Sequence, residues 1–334
     1  MNLSPETVIL RALVAGENEF VSGSTLAEKL GMSRVAIWQH MEKLRGQGFE
    51  FEAVRARGYR LARRPTVPHP GLIRAYLPAK HPPFVLEYLT HIDSTIDEAA
   101  RLLAAGRATP LVVIARRQTK GRGRFGRTWH SEANGNLYIS FAFRPRLAPA
   151  RMQTFTLWMG VHICDLIAAF TGTAPGIKWP NDILFDRRKA GGILTEARMD
   201  ADHIRDIILG LGLNLNSDPA HWPEDLVRRA TSIVEQAGAP VDTNKFTAAL
   251  ITRVLSAYEQ FVAGPCPDIF AGLWRKYDLL RGRAVAVLNG EERIAGTVSG
   301  VDAEGSLILR DAAGKTLRFR AGEVTIEKEA AGNK

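Results

Sequence analysis

The sequence predicts a multidomain α+β protein. Three observations carry that reading: three short helical periodicities followed by a hairpin at the N-terminus, a central region mixing strands with two long apolar helices, and a C-terminal run of short alternating segments broken by glycine turns. The length of 334 residues agrees, since single cores stop growing at roughly 250–300 residues. A hydrophobic share of 46% and a charged share of 24% are those of a globular chain. By this reading no apolar run approaches the ~18 residues needed to cross a bilayer, so membrane-spanning and disordered classes are excluded. Met1-Asn2-Leu3-Ser4-Pro5-Glu6 has neither the basic nor the apolar part of a secretory signal, which makes cytoplasmic residence the expectation. Cys164 and Cys266 stand far apart without a Cys-x-x-Cys, so neither a disulfide framework nor a zinc site is expected. A formal charge of +9 favours polyanionic partners such as nucleic acid or nucleotide phosphates.

Residues 1–64 read as one domain. Val8, Ile9, Leu10, Leu13 and Val14 recur at helical spacing from Glu6 to Ala15. Thr25-Leu26-Ala27-Glu28 has the form of a capping box opening a second helix that ends before Gly31. Ser33 caps a third helix, Arg34 to Arg45, with Ile37, Trp38, Met41 and Leu44 expected inward and Arg34, Gln39, His40 and Lys43 outward. Phe49 to Val54 and Tyr59-Arg60-Leu61 then form a hairpin around Arg55-Ala56-Arg57-Gly58. Three helices and a basic hairpin describe a winged helix-turn-helix. The segment carries ten basic residues against seven acidic ones, and six of the ten lie on the third helix and the wing. Ser33, Arg34, Gln39, His40, Lys43, Arg55 and Arg57 are the candidate DNA-contacting residues. A packing module with a solvated basic face would also fit the pattern.

Arg63-Arg64-Pro65-Thr66-Val67-Pro68-His69-Pro70 has the composition of a stiff linker, placing a boundary at 64/65 and a central domain at 65–278. From Leu279, the segments 284–288, 296–298 and 307–309 alternate between glycine turns, predicting a small β-barrel over 279–330.

The central domain holds the chemistry. From Arg116 to His130 there are six lysines and arginines and no acid, four of them in Gln118-Thr119-Lys120-Gly121-Arg122-Gly123-Arg124-Phe125-Gly126-Arg127-Thr128-Trp129. Gly121 to Gly126 formally satisfies G-x-G-x-x-G. A dinucleotide fingerprint opens a helix and has an acid about 20 residues on, whereas here a strand follows and the region near 146 is basic. No kinase HRD or DFG and no Walker lysine motif occurs. What remains is a glycine-rich loop whose arginines can clamp phosphate or carboxylate, or a solvated basic loop.

In Gly176-Ile177-Lys178-Trp179-Pro180-Asn181-Asp182-Ile183, a lysine on an apolar strand needs an anion, which is either a ligand or a structural partner such as Asp182 or Glu196. A hairpin follows through Lys189 into Gly191-Gly192-Ile193-Leu194-Thr195-Glu196. On the strand 208–216, Gly210, Gly212, Asn214 and Asn216 share one face, a smooth floor for a ligand or a tight sheet contact. Asp93-Ser94-Thr95 stands at a helix start, able to hold a carbonyl or carboxylate or simply to cap the helix.

Asp93-Ser94-Thr95, the loop Gly121 to Trp129, Lys178-Trp179-Pro180-Asn181-Asp182, Lys189-Ala190-Gly191-Gly192-Ile193-Leu194 and the strand ending at Asn214 together closely resemble the biotin protein ligase family, and specifically its bacterial bifunctional ligase/repressors. The resemblance spans nearly the whole chain. It implies a class II synthetase-like mixed α/β catalytic domain, an SH3-like C-terminal barrel, and ATP-dependent activation of biotin to biotinyl-5′-adenylate. Transfer to a lysine of a biotin carboxyl carrier protein would follow. By resemblance, Ser94, Thr95, Ile96, Gln118, Gly121, Arg122, Gly123, Arg124, Lys178, Gly191 and Gly192 would serve biotin. Arg122, Arg124, Trp129, Asn181, Lys189 and Asn214 would serve ATP. Lys178, Arg122 and Arg124 would carry catalysis. Mg²⁺ is implied with ATP, without a protein-only metal cage. Operator DNA and a ligand-promoted homodimer are the implied further partners, with no membrane.

Ile96 departs from the pattern, because the family usually has Asn after the Ser-Thr pair; a differently arranged ligand contact is expected there. Two other readings stand against the first. A lipoate or octanoate ligase would share the central fold but lacks the arginine loop, barrel and winged helix in combination. A DNA-binding regulator without catalysis would not need Lys178 and the arginine loop. A ligase whose winged helix no longer represses is compatible with these residues.

Overall fold

The computed structural model describes residues 3–17, 19–131, 134–200 and 202–327. They form two compact units, one within residues 3–81 and 242–252 and one within residues 82–241 and 253–327.

In the first unit, α1 (Pro5–Ala15) starts at Ser4, whose hydroxyl accepts from the Thr7 amide at 3.2 Å, and buries Ile9, Leu10 and Leu13. Helix α2 (Gly23–Leu30) begins earlier than the capping-box reading: Ser22 is the cap, accepting from the Thr25 amide at 3.0 Å. Gly31 ends the helix in the left-handed conformation, at φ 62°. Helix α3 (Arg34–Arg45) is capped by Ser33 and buries Ile37, Met41 and Leu44 completely. Trp38 does not belong to this stripe and is 51% exposed. The i, i+4, i+7 spacing of the three buried residues already fills the face, and a residue 100° further round the helix from Ile37 points off it. Strands β1 (Glu50–Val54) and β2 (Gly58–Arg63) form the antiparallel wing.

The proline-rich stretch is not a free linker. It leads into α4 (Pro70–Tyr76), which packs on α1 and buries Leu72, Ile73 and Ala75. The Asn244 side chain donates to the carbonyls of Pro65 and Val67, both at 3.1 Å, and accepts from the His69 amide at 2.7 Å. Three hydrogen bonds on a segment lacking several amide donors explain why this unit extends past residue 64.

The second unit is built on a seven-stranded sheet of order β3-β4-β5-β9-β8-β7-β6. Strand β3 (Val85–Ile92) leads through α5 (Thr95–Ala104) to β4 (Leu111–Gln118), giving the parallel pair, and β5 (Asn136–Phe143) turns antiparallel. Ile96, Ala99 and Leu103 of α5 pack on Leu111, Val113, Ala142 and Ile208. After α6 (Met152–Thr171), strands β6 (Gly176–Lys178), β7 (Asp182–Phe185), β8 (Arg188–Asp200) and β9 (His203–Asn214) complete the sheet.

Residues 149–171 are long and apolar enough to span a bilayer, which the sequence reading had excluded. The reason for the composition is burial: Phe155, Leu157, Met159, Val161, Ile163 and Ile167 lie inside the unit, and α6 packs on β6 and β8. Helices α7 (Glu224–Val227), α8 (Ile233–Ala237), α9 (Thr243–Ala263) and α10 (Pro267–Tyr277) follow. Asp165 on α6 accepts from Arg253 at 2.7 Å, Lys276 at 3.1 Å and Tyr277 at 2.8 Å, tying the three longest of these helical segments together.

The C-terminal strands β10 (Ala284–Asn289), β11 (Glu292–Val301), β12 (Leu307–Arg310), β13 (Thr316–Phe319) and β14 (Glu323–Ile326) form an antiparallel sheet in which β14 returns to β10. This SH3-like element belongs to the same compact unit as the central sheet. The buried Trp179 indole donates to the Gly305 carbonyl at 3.0 Å, and Gln153 donates to the same oxygen at 2.7 Å.

Candidate active site

The second unit contains a cleft of about 700 Å³. Its floor is the glycine face of β9. A Cβ on Gly212 would lie 2.6 Å from Trp129 Cε2, and one on Gly210 would lie 2.4 Å from Ile96 Cδ1, so only hydrogen leaves room for the indole and the isoleucine to rest on the sheet. The period-2 face read from the sequence is therefore the floor of a cavity. Trp129 also faces Gly192, and Lys189 Nζ stands 5.4 Å from the ring centroid. The Trp129 indole nitrogen is buried without a hydrogen-bond partner in the described structure.

One end of the cleft is made by the start of α5. Ser94 and Thr95 are buried; the Gln118 carbonyl oxygen accepts from the Thr95 amide at 2.8 Å and its hydroxyl at 3.1 Å, and Ser140 donates to Thr95 Oγ1 at 2.8 Å. Ser94 caps α5 by backbone position alone, leaving its hydroxyl out of the cap. Ile96 lines the cleft while being 5% exposed, packed into the apolar cluster under α5. Ile96 thus supplies a hydrocarbon contact at the floor.

The basic loop contributes Arg122, Gly123, Arg124, Phe125 and Arg127 to the lining. Arg122 donates to Asp97 at 2.6 Å and to both oxygens of Glu196 at 3.0 and 3.2 Å. Burial opposes its charge, and these two carboxylates outweigh burial and hold the guanidinium above its ordinary pKa. Arg124 donates to Asn181 Oδ1 at 3.3 Å and to the Gly322 carbonyl at 3.2 Å; burial pushes its pKa down. Arg127 donates to Glu323 at 2.6 Å. Phe125 sits at the tip with φ 56° and is 70% exposed.

Lys178 differs from all of these. It ends β6 half-buried at the cleft wall, and among the described residues it has no ion pair. The structural partners considered for it are taken: Asp182 lies 2.5 Å from Lys189, and Glu196 belongs to Arg122. Desolvation lowers its pKa below that of an ordinary lysine, with Asp182 pulling the other way.

Gly121 and Gly191 lie outside the lining. A Cβ on Gly121 would strike Ser131 Oγ at 2.6 Å, so a glycine there lets the loop close on itself. Asn214 reaches the lining but also donates to the Thr231 carbonyl at 3.0 Å. Sequence reasoning missed the segment Pro223–Ala230, which supplies Arg228 and Arg229 to the rim, and Glu323 and Val324 of β14. None of these carries a motif or a periodic pattern.

Residues 88–214 match the biotin/lipoate A/B protein ligase family, residues 6–60 an HTH domain, and residues 281–326 the biotin protein ligase C terminal domain. The chain is 35% identical to the bifunctional ligase/repressor BirA of Bacillus subtilis over 87% of its own length and 90% of the relative's. It belongs to the biotin protein ligase family. The BirA protein of Escherichia coli, another bifunctional ligase/repressor, is 31% identical over 92% of this chain and 94% of its own. The structure of the biotin protein ligase from Aquifex aeolicus in complex with biotin and ATP superposes with a TM-score of 0.62 at 28% identity, covering 73% of this chain and 99% of that one.

The HTH match falls in the first unit, where the candidate DNA-contacting residues divide. Arg34, Gln39, Lys43, Arg55 and Arg57 are exposed. The Ser33 hydroxyl is also exposed, and it accepts from the Ala36 amide at 3.2 Å as the cap of α3. Arg57 stacks over the Phe20 ring at 4.4 Å. His40 turns away from the outward face and contacts Glu6 at 2.9 Å, because it lies on the flank of α3 that faces the start of α1.

Proposed function

We propose that the protein activates biotin with ATP to biotinyl-5′-adenylate and transfers it to a lysine of a carrier protein, and that it represses transcription through its HTH domain. The observation that carries the catalytic half is Lys178: a half-buried cation with no ion-paired carboxylate among the described residues, on the wall of a cleft also lined by arginines. Attack of the biotin carboxylate on the α-phosphorus brings two anions together and expels pyrophosphate. Lys178 is set to hold the carboxylate and the developing charge, and Arg122 and Arg124 to orient the phosphates. Ser94, Thr95 and Gln118 supply the hydroxyl and amide groups for the ureido ring, with Ile96 beneath it. Trp129 on Gly212 offers a stacking surface for the base, with Asn181, Lys189 and Asn214 around it. The second step is attack of a lysine amine on the mixed anhydride, with AMP leaving.

Mg²⁺ would travel with the ATP phosphates. That ion keeps most of its waters and binds chiefly through the phosphates rather than in a protein-only cage. The acceptor in this reading is the carrier protein of acetyl-CoA carboxylase or a related carboxylase. The setting is cytoplasmic, and the adenylate-bound form dimerises on operator DNA; sedimentation with and without biotin plus ATP tests the dimer.

Exchange of labelled pyrophosphate into ATP, run in parallel with biotin, lipoate and octanoate, tests the reaction. Exchange with biotin alone is the expected result. Exchange with lipoate or octanoate instead, or with no acid, would overturn it.

A further inference from the structure

The outward face of α3 is not simply basic. Val35 is 67% exposed and Trp38 is 51% exposed, while Ile37, Met41 and Leu44 fill the core side completely. Val35 and Trp38 are neighbours at i, i+3, and Gln39 is a neighbour of Val35 at i, i+4, so the three share one patch of helix surface. Arg34 and Lys43 flank it and are exposed, Lys43 with its ammonium 3.8 Å from Glu6. The one acid on this face, Glu42, is taken by an ion pair with Arg45.

We propose that Val35 and Trp38 are base-reading residues that seat thymine methyl groups in the DNA major groove, with Gln39 beside them paired to adenine. The inference deepens the DNA-binding reading and rests on it. The major-groove edge of an A·T pair offers a methyl group on thymine and an acceptor–donor pair on adenine. An apolar side chain suits the first, and a glutamine amide suits the second in bidentate fashion. The patch is too small for the other partners an exposed apolar helix face could take. A groove-binding or membrane-lying helix needs anchors continuing at i+4 and i+7, where α3 has Gln39 and Glu42. The flanking cations match a polyphosphate backbone.

The test uses the full-length protein with biotin and ATP. Duplexes are selected from a random-sequence library, and the enriched sequence is resynthesised with deoxyuridine replacing thymidine at one position at a time, which deletes only the 5-methyl. Binding is expected to weaken about four-fold at each contacted position, the factor that burial of one methyl supplies. Val35→Ala and Trp38→Ala should bind the thymine duplex more weakly and lose the thymine–uracil difference at their own positions. Their far-ultraviolet circular dichroism should be unchanged, because both side chains stand outside the core. Uracil duplexes bound as tightly as thymine ones throughout, or a penalty that persists undiminished in both variants, would overturn the inference while leaving DNA binding intact. Enrichment of no duplex would overturn the DNA-binding reading itself, and the inference with it.

Discussion

The loop Gly121–Trp129 and the strand β6 deliver cations to the same cleft by opposite means. The loop arginines are held by protein acceptors: Arg122 by Asp97 and Glu196, Arg124 by Asn181 and the Gly322 carbonyl, Arg127 by Glu323. Lys178 is held by the sheet and, among the described residues, by no carboxylate. A cation positioned by backbone pairing can stay unpaired until substrate arrives. A cation on a glycine-rich loop takes a protein partner to be positioned, and in the proposed reaction it would exchange that partner for the substrate. In that reaction the strand site is preorganised and the loop sites are exchangeable.

The largest effect that tests this contrast is at Lys178. Lys178→Ala should lower the rate of biotin-dependent pyrophosphate exchange by two to three orders of magnitude, the usual cost of removing a group that meets developing charge. Thermal stability should be unchanged or slightly raised, since the lysine is desolvated without a compensating ion pair. The same desolvation predicts the pH behaviour. The folded-state pKa lies below the unfolded one, so the folded protein binds fewer protons as pH rises through that interval, and stability rises there while activity falls. The alkaline limb of the wild-type profile should therefore lie below 10.5. A limb at or above that value, or substantial turnover in Lys178→Ala, would remove the lysine from the chemistry.

The contrast also explains what was legible beforehand. Regular backbone sets faces by its period, so Ile37, Met41 and Leu44 could be read as the core side of α3, and Gly210 and Gly212 as one face of β9. Trp38 and His40 were assigned by residue type rather than by angle, and they exchanged places: the indole is exposed and the imidazole rests on Glu6. Loop residues have no such period. That Arg122 would choose Asp97 and Glu196, or that Arg127 would meet a residue 196 positions away, depends on tertiary geometry that a local pattern does not encode. For the same reason the Pro223–Ala230 rim was invisible, and α6 could be judged only by composition that serves a buried core and a bilayer equally.

A second, intermediate effect tests the floor. Gly212→Ala places a methyl where the Trp129 ring now lies, 2.6 Å from Cε2, and must displace the indole. Loss of a stacking surface for a base is worth ~1–3 kcal/mol, so the KM for ATP should rise about five-fold or more. Biotin affinity, measured by calorimetry without nucleotide, should stay within about two-fold, because the Ser94, Thr95 and Gln118 end of the cleft is not built on Gly212. An unchanged KM would mean that Trp129 packs on the sheet for structure alone.

The smallest effect is at the outer edge of the loop. Arg127 and Glu323 form an exposed pair, with the arginine side chain 65% exposed, so the pair is worth at most ~1 kcal/mol and is sensitive to salt. If the loop arginines exchange partners during the cycle, Glu323→Gln removes one acceptor that competes with the phosphates. The KM for ATP should then fall by no more than about five-fold, and the difference should shrink as salt screens the wild-type pair. If the contact instead persists in the reacting complex, the same substitution removes a support that substrate uses, and KM should rise. The sign of a small change therefore decides whether the ion pair belongs to the waiting enzyme or to the working one, which the much larger loss at Lys178 cannot reveal.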